Sequence, residues 1–303
     1  MSQEALSEPT GAAVSSPTWW VDWLALVFLI LFHVLAVLAL TPWFFSWTGV
    51  VVMLVGMYTI GMLGINVGYH RLLAHRSFTC PRWFERTLAI IGIFSLQDSP
   101  AYWVAVHRRH HQFADEDQDP HSPLVNFAWA YVGWIVIRKQ SIERRSLTER
   151  YARDLIRDPF YVWIENYWTL VTLGQWVVYF AGGFIGGVLM GMATGAALWF
   201  ATGIFLWGVV VRTVVMWHLT WALNSVAHLW GYRNYQTPDD SRNNVLLGFA
   251  TGGEGFHNNH HAYPSSARHG HRWWEFDYVY GLIRLLAAVG LAKNVKLPGP
   301  LRD

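Results

Sequence analysis

Long runs of apolar residues alternate with polar stretches along this chain of 303 residues. A helix needs about 20 apolar residues to cross the hydrocarbon core of a bilayer, and four runs approach or exceed that length. The pattern predicts an all-α integral membrane protein with four transmembrane helices and a cytoplasmic helical domain. Arg212 interrupts the fourth run, and we expect it to face the protein interior and find a polar partner. The predicted spans are about 23–40, 49–67, 167–190 and 196–223.

The distribution of Lys and Arg predicts the sidedness of these spans. The polar stretches 68–166 and 224–303 carry all of these residues except Arg212. By the positive-inside rule both stretches and both termini are cytoplasmic, in a bacterial inner membrane or the endoplasmic reticulum. We expect residues 1–18 to form a disordered tail and residues 19–303 to form a single domain. Three apolar runs are too short to span and predict helices on the membrane surface or a lid: 88–96, 127–137 and 279–291.

Composition narrows the classes of partner and site. The chain is 53% hydrophobic and only 14% charged, whereas soluble domains carry about 25% charged residues. This depletion of charge makes membrane lipid the expected surrounding of the protein. The net charge of +2 is too small to suggest nucleic acid as a partner. Cys80 is the single cysteine, which excludes a disulfide framework and a cysteine-ligated zinc or iron–sulfur site.

Eight histidines fall into three tight clusters, and His228 stands alone as a ninth candidate. Imidazole is costly to bury without a partner and is the commonest neutral metal ligand. In the second and third clusters the spacing is i, i+3 and i+4, so each can present three rings to a common point. The first pair is five residues apart, about 140° around a regular helix, which predicts an unwound turn or one ligand for each of two ions. The clusters are His70 and His75; His107, His110 and His111; and His257, His260 and His261.

Nine nitrogen ligands predict a dinuclear metal centre. All-nitrogen ligation suits iron, copper, zinc or nickel, but zinc prefers four ligands and has no redox chemistry. Open positions around two ions favour iron that binds dioxygen. Asn224 lies four residues before His228 and can hold a water on one ion or orient an imidazole. Nearby carboxylates that can offset charge or fix imidazole tautomers are Asp98, Asp115, Glu116, Asp117, Asp119 and Glu254.

The remaining histidines carry weaker signals. His33 and His218 lie inside predicted spans, where a lone histidine is usually packed and hydrogen-bonded. His269 and His271 lie in a predicted loop, and we expect them to face solvent or lipid headgroups. The pattern does not assign His121.

Six longer strings occur in this order: HRLLAH, WVAVHRRHH, DPHSP, VGWIVIRK, NSVAHLWGYR and GEGFHNNHH. From about Gly61 to Leu291 the chain thereby resembles the membrane fatty acyl desaturases of the stearoyl-CoA type. The resemblance implies two irons held by the nine histidines, a water held by Asn224, and O2 as co-substrate. It also implies that O2 and two electrons remove two hydrogens from adjacent carbons of a saturated acyl chain, giving a cis double bond, expected at delta-9. The protein then acts by positioning the chain in a bent apolar tunnel, without a side chain as acid or base.

The same resemblance assigns residues to the substrate. Acyl-CoA enzymes of this type carry an Arg-Asp pair just before the second cluster, where this chain has Ala105 and Val106. A fatty acyl substrate is expected, while its carrier stays open between CoA, acyl carrier protein and a membrane lipid. Two residues near the bend and two at the head group are, in that order, Gln97, Trp103, Arg138 and Lys139.

The electrons are expected from a separate donor protein of the ferredoxin or cytochrome b5 type. The chain has no haem-binding HPGG string, and one cysteine cannot hold an iron–sulfur cluster. Several arginines can form a basic docking face for an acidic donor, although anchoring to lipid headgroups explains them equally well. They are Arg82, Arg86, Arg144, Arg145, Arg150 and Arg153.

Three other functions compete with this interpretation. A hydroxylase of fatty acyl chains or alkanes can use the same scaffold, and its product gains an oxygen instead of losing two hydrogens. A metal transporter or sensor would place ligands along a membrane path, whereas the predicted spans hold only His33 and His218. A purely structural metal site predicts no O2 consumption.

Overall fold

The long apolar runs form three helices that are long and apolar enough to cross a membrane: Trp47–Ala74, Pro159–Leu189 and Thr194–Leu229. They belong to a computed structural model that describes residues 19–139 and 144–299, without the Lys139 side chain. Each of the three helices begins before its predicted span, and the last continues through Asn224 to Leu229. The tail predicted over 1–18 lies outside the described residues. The all-helical prediction is confirmed in its main feature, and the cytoplasmic placement stays a prediction.

The first predicted span forms a helix of 17 residues, Trp23–Ala39. It is shorter than the roughly 20 residues that a crossing needs, so the fourth span also stays a prediction. Its large apolar side chains are exposed, among them Leu24 at 82% and Val37 at 66%. An apolar surface of this kind is stable against lipid and unfavourable in water.

We number the described helices in chain order. The cores of α3, α5 and α12 come from the three short apolar runs, whose helical state is confirmed. They are α1 (Trp23–Ala39), α2 (Trp47–Ala74), α3 (Arg82–Ile93), α4 (Pro100–Gln112), α5 (Trp129–Gly133, continued by Trp134–Val136), α6 (Arg144–Tyr151), α7 (Arg153–Ile156), α8 (Pro159–Leu189), α9 (Thr194–Leu229), α10 (Val245–Thr251), α11 (His257–Ala262) and α12 (Tyr278–Ala288).

Two short strands, β1 (Trp19–Val21) and β2 (Ile137–Lys139), pair antiparallel and fix the start of α1 against the end of α5. Asp22 strengthens this junction with both of its carboxylate oxygens. One oxygen accepts from the backbone N of Ala25 at 3.0 Å and caps α1. The other lies 3.4 Å from Nε of Arg138. The N-terminal end of α1 is therefore tied to the segment after α5.

Helices α8 and α9 pack closely through small residues. A Cβ added to Gly183 would lie 2.9 Å from Cα of Ala201, and one added to Gly187 would lie 3.0 Å from Cα of Ala197. Small residues let helix backbones approach in a membrane, where no hydrophobic force drives helices together.

Arg212 lies in α9 and is fully buried, as predicted. Its guanidinium donates to the carbonyl oxygen of Phe94 at 2.7 Å and to Oγ1 of Thr213 at 3.1 Å. The expected polar partner is confirmed. Because Phe94 follows α3 directly, Arg212 fixes α9 against the loop that leads into α4.

Candidate metal centre

His70 and His75 point to the same place, although a regular α-helix would separate them by about 140°. From Met57 to Ala74, α2 is wound as a π-helix. The backbone N of His75 donates to the carbonyl oxygen of His70 at 3.1 Å, a bond between residues five apart. Residues five apart therefore share a face, and the two ring centroids lie 4.8 Å apart. The alternative of one ligand for each of two ions is wrong, because both rings belong to one group. The alternative of an altered winding is closer to the structure, since the helix is wound as a π-helix and ends at Ala74.

The second and third clusters each divide between two groups of rings. In each cluster the i and i+4 histidines stay together and the i+3 histidine joins the other group. On a helix, positions four apart differ by about 40° and positions three apart by about 60° in the opposite sense. The expectation that each cluster presents three rings to a common point is therefore wrong. The first group is His70, His75, His107, His111 and His260, and the second is His110, His228, His257 and His261.

Each group is close enough to surround one metal ion. Within a group the ligand nitrogens all lie within 4.8 Å of one another. The Nε2 atoms of His75 and His107 are 2.7 Å apart, and those of His228 and His257 are 3.1 Å apart. Imidazole nitrogens that bind one ion at about 2.0–2.1 Å lie roughly 3–4 Å from one another. The observed separations, from 2.7 Å to at most 4.8 Å, lie around this range, so each group has about the size of a metal site.

Within the described chain, four carboxylates hold histidine rings of the two groups from the opposite side. Asp115, Asp119 and Glu254 were expected near the clusters, whereas Asp239 was not, because no histidine stands near it in sequence. Asp98 pairs instead with Arg144. Glu116 and Asp117 are exposed. The Nδ1–carboxylate pairs are His70–Glu254 (2.7 Å), His110–Asp119 (3.0 Å), His228–Asp115 (3.0 Å) and His261–Asp239 (2.9 Å).

These pairs fix the tautomers of the rings. A carboxylate only accepts, so Nδ1 of His110 donates to Asp119 and Nδ1 of His261 donates to Asp239. In the neutral rings Nε2 is then a bare lone pair, and these two Nε2 atoms face each other at 3.4 Å. Two lone pairs cannot hydrogen-bond each other, whereas a cation between them satisfies both. The donor set therefore fits a metal ion, and iron is compatible with it.

Most of the rings that we expect to bind metal have a lowered pKa, which favours the neutral form. Burial lowers the pKa of His107, His111 and His260 well below the usual value, and neighbouring imidazoles lower it further. Burial also acts on His110, but Asp119 outweighs it and the pKa of His110 is raised. Neutral imidazole is the metal-binding form, so most of these rings need lose no proton at neutral pH.

Two histidines that we expected to face solvent or headgroups are buried. His269 is 0% exposed and His271 is 8% exposed. Nδ1 of His269 lies 3.2 Å from Glu254, and its ring centroid lies 4.4 Å from that of His260. His271 accepts from the hydroxyl of Tyr235 at 2.8 Å. The expectation is wrong because the loop packs against the clusters instead of extending into solvent.

His121, which the sequence leaves unassigned, is also buried. Its Nδ1 lies 3.7 Å from Asp119 and its ring centroid lies 4.4 Å from that of His110. It therefore packs behind the second group.

A cavity of about 550 Å³ reaches the first group. This volume lies within the roughly 300–1,000 Å³ of small-molecule sites. His107 and Asn224 line it, together with Gln97, Trp103 and Arg138, which the sequence assigns to the substrate. Three of the four residues assigned to the substrate therefore line one cavity. The side chain of the fourth, Lys139, lies outside the described part of the structure.

Gln97 is held rigidly at the wall of this cavity. Its amide nitrogen donates to Oγ1 of Thr220 at 3.1 Å, and its amide oxygen accepts from Nε1 of Trp103 at 3.3 Å. The flanking residues Leu96 and Asp98 have φ of 56° and 87°, a left-handed region that is costly for residues other than glycine. Gln97 and Thr220 also line a second, smaller cavity of about 160 Å³. They form a polar partition between two apolar spaces.

Comparison with known proteins agrees with this geometry. Residues 45–292 match the family model for fatty acid desaturases. The chain belongs to the fatty acid desaturase family.

The desaturase is 39% identical over 275 residues to the sn-2 palmitoyl-lipid 9-desaturase of Nostoc sp., covering 90% of each chain. It is 37% identical to the sn-1 stearoyl-lipid 9-desaturase of Synechocystis sp., covering 94% of this chain and 83% of that one. It is 38% identical to the icosanoyl-CoA 5-desaturase of Limnanthes douglasii, covering 90% and 71%. The desaturase is an oxidoreductase that acts on fatty acyl chains.

The predicted basic docking face is reduced by internal ion pairs. Arg82 and Arg86 pair with Asp158. Arg144 pairs with Asp98 and Glu165. These three arginines link α3 and α6 to α8, so their charges are already partly compensated within the protein. Arg82, Arg145, Arg150 and Arg153 are exposed, and Arg145 pairs with Glu149 within its own helix α6.

Proposed function

We propose that this desaturase inserts a cis double bond at delta-9 of a saturated acyl chain that is esterified to a membrane lipid. It uses O2 and two electrons from a separate ferredoxin-type or cytochrome b5-type donor. The relatives of Nostoc and Synechocystis, named for palmitoyl-lipid and stearoyl-lipid, support this position and this carrier. The relative named for icosanoyl-CoA makes the carrier a point to test directly.

The observation that carries the proposal is the convergence of nine histidine rings into two groups, in the second of which the bare Nε2 atoms of His110 and His261 face each other. One iron would be held by the five rings of the first group and the other by the four rings of the second. Asn224, in the same helix as His228, would hold a water on the second iron. Two irons held here would supply the activation of O2 that an unactivated methylene requires.

The role of the protein itself is to position the acyl chain and to exclude water from the site. His107 belongs to the first group and also lines the cavity, and Trp103 stacks on it with centroids 5.0 Å apart. A chain in the cavity would therefore pass directly beside the metal centre. Gln97 and Thr220 would turn it at the partition towards the smaller cavity.

The charges around the cavity favour a lipid over CoA. Among the described residues that line it, Arg138 is the one Lys or Arg, and Asp22 pairs with it. Ala105 and Val106 are buried apolar residues where acyl-CoA enzymes of this type carry charge. The phosphates of CoA need several cationic partners, whereas an uncharged glycerolipid needs none.

The test is expression in a host that lacks its own desaturase, followed by gas chromatography–mass spectrometry with location of double bonds. We expect a delta-9 monounsaturated acid in the lipid fraction, formed without passing through the acyl-CoA pool in a pulse-chase experiment. His261→Ala should abolish it, while His271→Ala, a buried histidine outside both groups, should retain it. A hydroxylated acid would instead establish a hydroxylase. Label that appears first in unsaturated acyl-CoA would refute the lipid carrier.

A further inference from the structure

Three polar side chains meet between helices, away from the two groups of histidines. The hydroxyl of Tyr131 in α5 lies 2.8 Å from Nδ1 of His218 in α9. Nε2 of His218 lies 3.1 Å from Nε2 of His33 in α1, and Nδ1 of His33 lies 2.7 Å from the carbonyl oxygen of Leu29. We call this arrangement the Tyr131–His218–His33 chain. Among apolar helices each of these polar atoms would be costly without its partner.

The direction of each hydrogen bond follows from its last acceptor. The carbonyl oxygen of Leu29 only accepts, so Nδ1 of His33 carries the proton and its Nε2 is a lone pair. His218 must then donate through Nε2, which leaves its Nδ1 as the acceptor of the Tyr131 hydroxyl. All polar atoms of the two rings and the hydroxyl proton are satisfied with both imidazoles neutral. The chain is therefore complete as it stands, without an ion.

The helices that this chain joins form much of the wall of the large cavity. Leu29 of α1, Trp134 of α5, and Trp217 and Trp221 of α9 all line it. The ring of His33 stacks on that of Trp221, with centroids 6.3 Å apart and an angle of 19° between the planes. The same ring lies 6.5 Å from that of Trp217. The two tryptophans thus stand between His33 and the space for the substrate.

We propose that the Tyr131–His218–His33 chain determines which carbons of the acyl chain are desaturated. The inference rests on the proposed function and concerns its regiochemistry. Tyr131, His218 and His33 are positioning residues: they fix α1, α5 and α9 at one spacing and act on the substrate through Trp217 and Trp221.

The physical reason lies in the substrate itself. Successive methylenes of a saturated chain are chemically equivalent, so only their position relative to the metal centre selects one pair. A misplacement of about 1 Å can change the rate at a reacting atom by about 100-fold. A cavity wall that shifts by a fraction of that distance would let neighbouring carbons compete.

The experiment compares four variants by the ratio of double-bond positional isomers and by iron per chain. His33→Leu leaves the Nε2–H of His218 without an acceptor, and Tyr131→Phe removes only the hydroxyl. His33→Gln restores an acceptor, because its amide oxygen can replace Nε2. Thr202→Val is the matched control, since Thr202 bonds only to Leu198 of its own helix, at 3.0 Å.

We expect His33→Leu to raise the share of misplaced double bonds about fivefold, the change in a ratio that corresponds to one typical hydrogen bond. Tyr131→Phe should act in the same direction, and iron per chain should stay at the wild-type value. His33→Gln should return the ratio towards wild type, and Thr202→Val should leave it unchanged.

An unchanged isomer ratio in both His33→Leu and Tyr131→Phe, even with lower total product, would overturn the inference and leave a purely structural role. A wild-type protein that forms no unsaturated acid would overturn the proposed function and, with it, this inference. The two failures are therefore distinguishable.

Discussion

The carboxylate of Asp239 lies 2.9 Å from Nδ1 of His261, whose other nitrogen faces the second group of histidines. Burial alone would raise the pKa of Asp239, but the hydrogen bonds and charge contributed by His261 and Ser241 together outweigh it and the pKa is lowered. Among the described residues, three of the four rings in the second group have such an anionic partner, against one of five in the first. An anion behind the ring raises its basicity and fixes its orientation. The second group should therefore depend strongly on these carboxylates.

Asp239→Asn should weaken iron binding at the second group by about 10–100-fold, because it removes the charge while it keeps the size of the side chain. The measurement is iron per purified chain during titration with a chelator, where the variant should lose about one iron earlier than wild type. Asp240→Asn is the matched control, because the adjacent Asp240 is an exposed residue with no histidine contact. Equal retention in wild type and Asp239→Asn would contradict the prediction.

Arg108 joins the first two histidine clusters to α7. Its guanidinium donates to the carbonyl oxygens of Ala74 at 2.9 Å and Leu73 at 2.7 Å, and binds both oxygens of Asp154 at 2.6 and 3.0 Å. Lysine cannot reproduce this planar fork, so Arg108→Lys should lower the free energy of unfolding by about 1–3 kcal/mol. Thermal unfolding in detergent measures the change. Arg109→Lys, which replaces a residue with one bond to a carbonyl oxygen, should have a smaller effect, and a larger one would refute the role of Arg108.

Asp154 should make the stability depend on acid pH. Burial alone would raise its pKa, but hydrogen bonds from Arg108 and Arg76 outweigh this and lower the pKa to about 2. The unfolded value is about 3.9. Since the folded pKa is the lower one, the stabilisation is complete above about pH 4 and is lost as the pH falls towards about 2.

Wild type should therefore have a higher free energy of unfolding than Asp154→Asn at about pH 6. This difference between the two proteins should shrink below about pH 4. Denaturant unfolding of both proteins across this range is the measurement. Asp117→Asn, at an exposed site, should show no such trend. The same difference for Asp154→Asn at about pH 6 and about pH 3 would show that the ion pairs do not carry the effect.

The exposed arginines of α6 and α7 are the ones to test for docking of the electron donor. Arg144→Glu would break the internal ion pairs with Asp98 and Glu165, so it cannot report on docking. Arg145→Glu combined with Arg153→Glu should raise the KM for an acidic donor severalfold at low salt and little at high salt, because salt screens exposed charges. Arg284→Glu in α12 is the control. An unchanged KM at low salt would mean that the donor binds elsewhere.

Local periodicity was enough to find the long helices and most of the histidines that could hold a metal. Apolar runs located α2, α8 and α9. Histidine spacing selected eight rings, and the fold brings them together with His228, the lone ninth candidate. The same reasoning could not divide them, because it assumes regular α-helical winding. His110 and His260 each leave their cluster for the other group, and His75 meets His70 only because α2 is wound as a π-helix there.

Contacts between segments that are distant in the chain could not be predicted from the sequence at all. Asp239 has no histidine within a helical turn, and only folding places it behind His261. His269 has a loop-like surrounding in the sequence, yet it is buried beside Glu254 and His260. Whether a helix spans the membrane was also hard to predict from composition alone. The apolar composition of Trp23–Ala39 predicts a span, but the helix has only 17 residues and is shorter than a span requires.

The division of the histidines has a consequence for biosynthesis. The first group needs both His70 and His260, and the second needs both His110 and His261. Neither group can be completed by a nascent chain that ends before the last cluster, even when the long apolar helices α2, α8 and α9 have already been synthesised. Neither group of histidines can therefore be complete before almost the whole polypeptide has been synthesised.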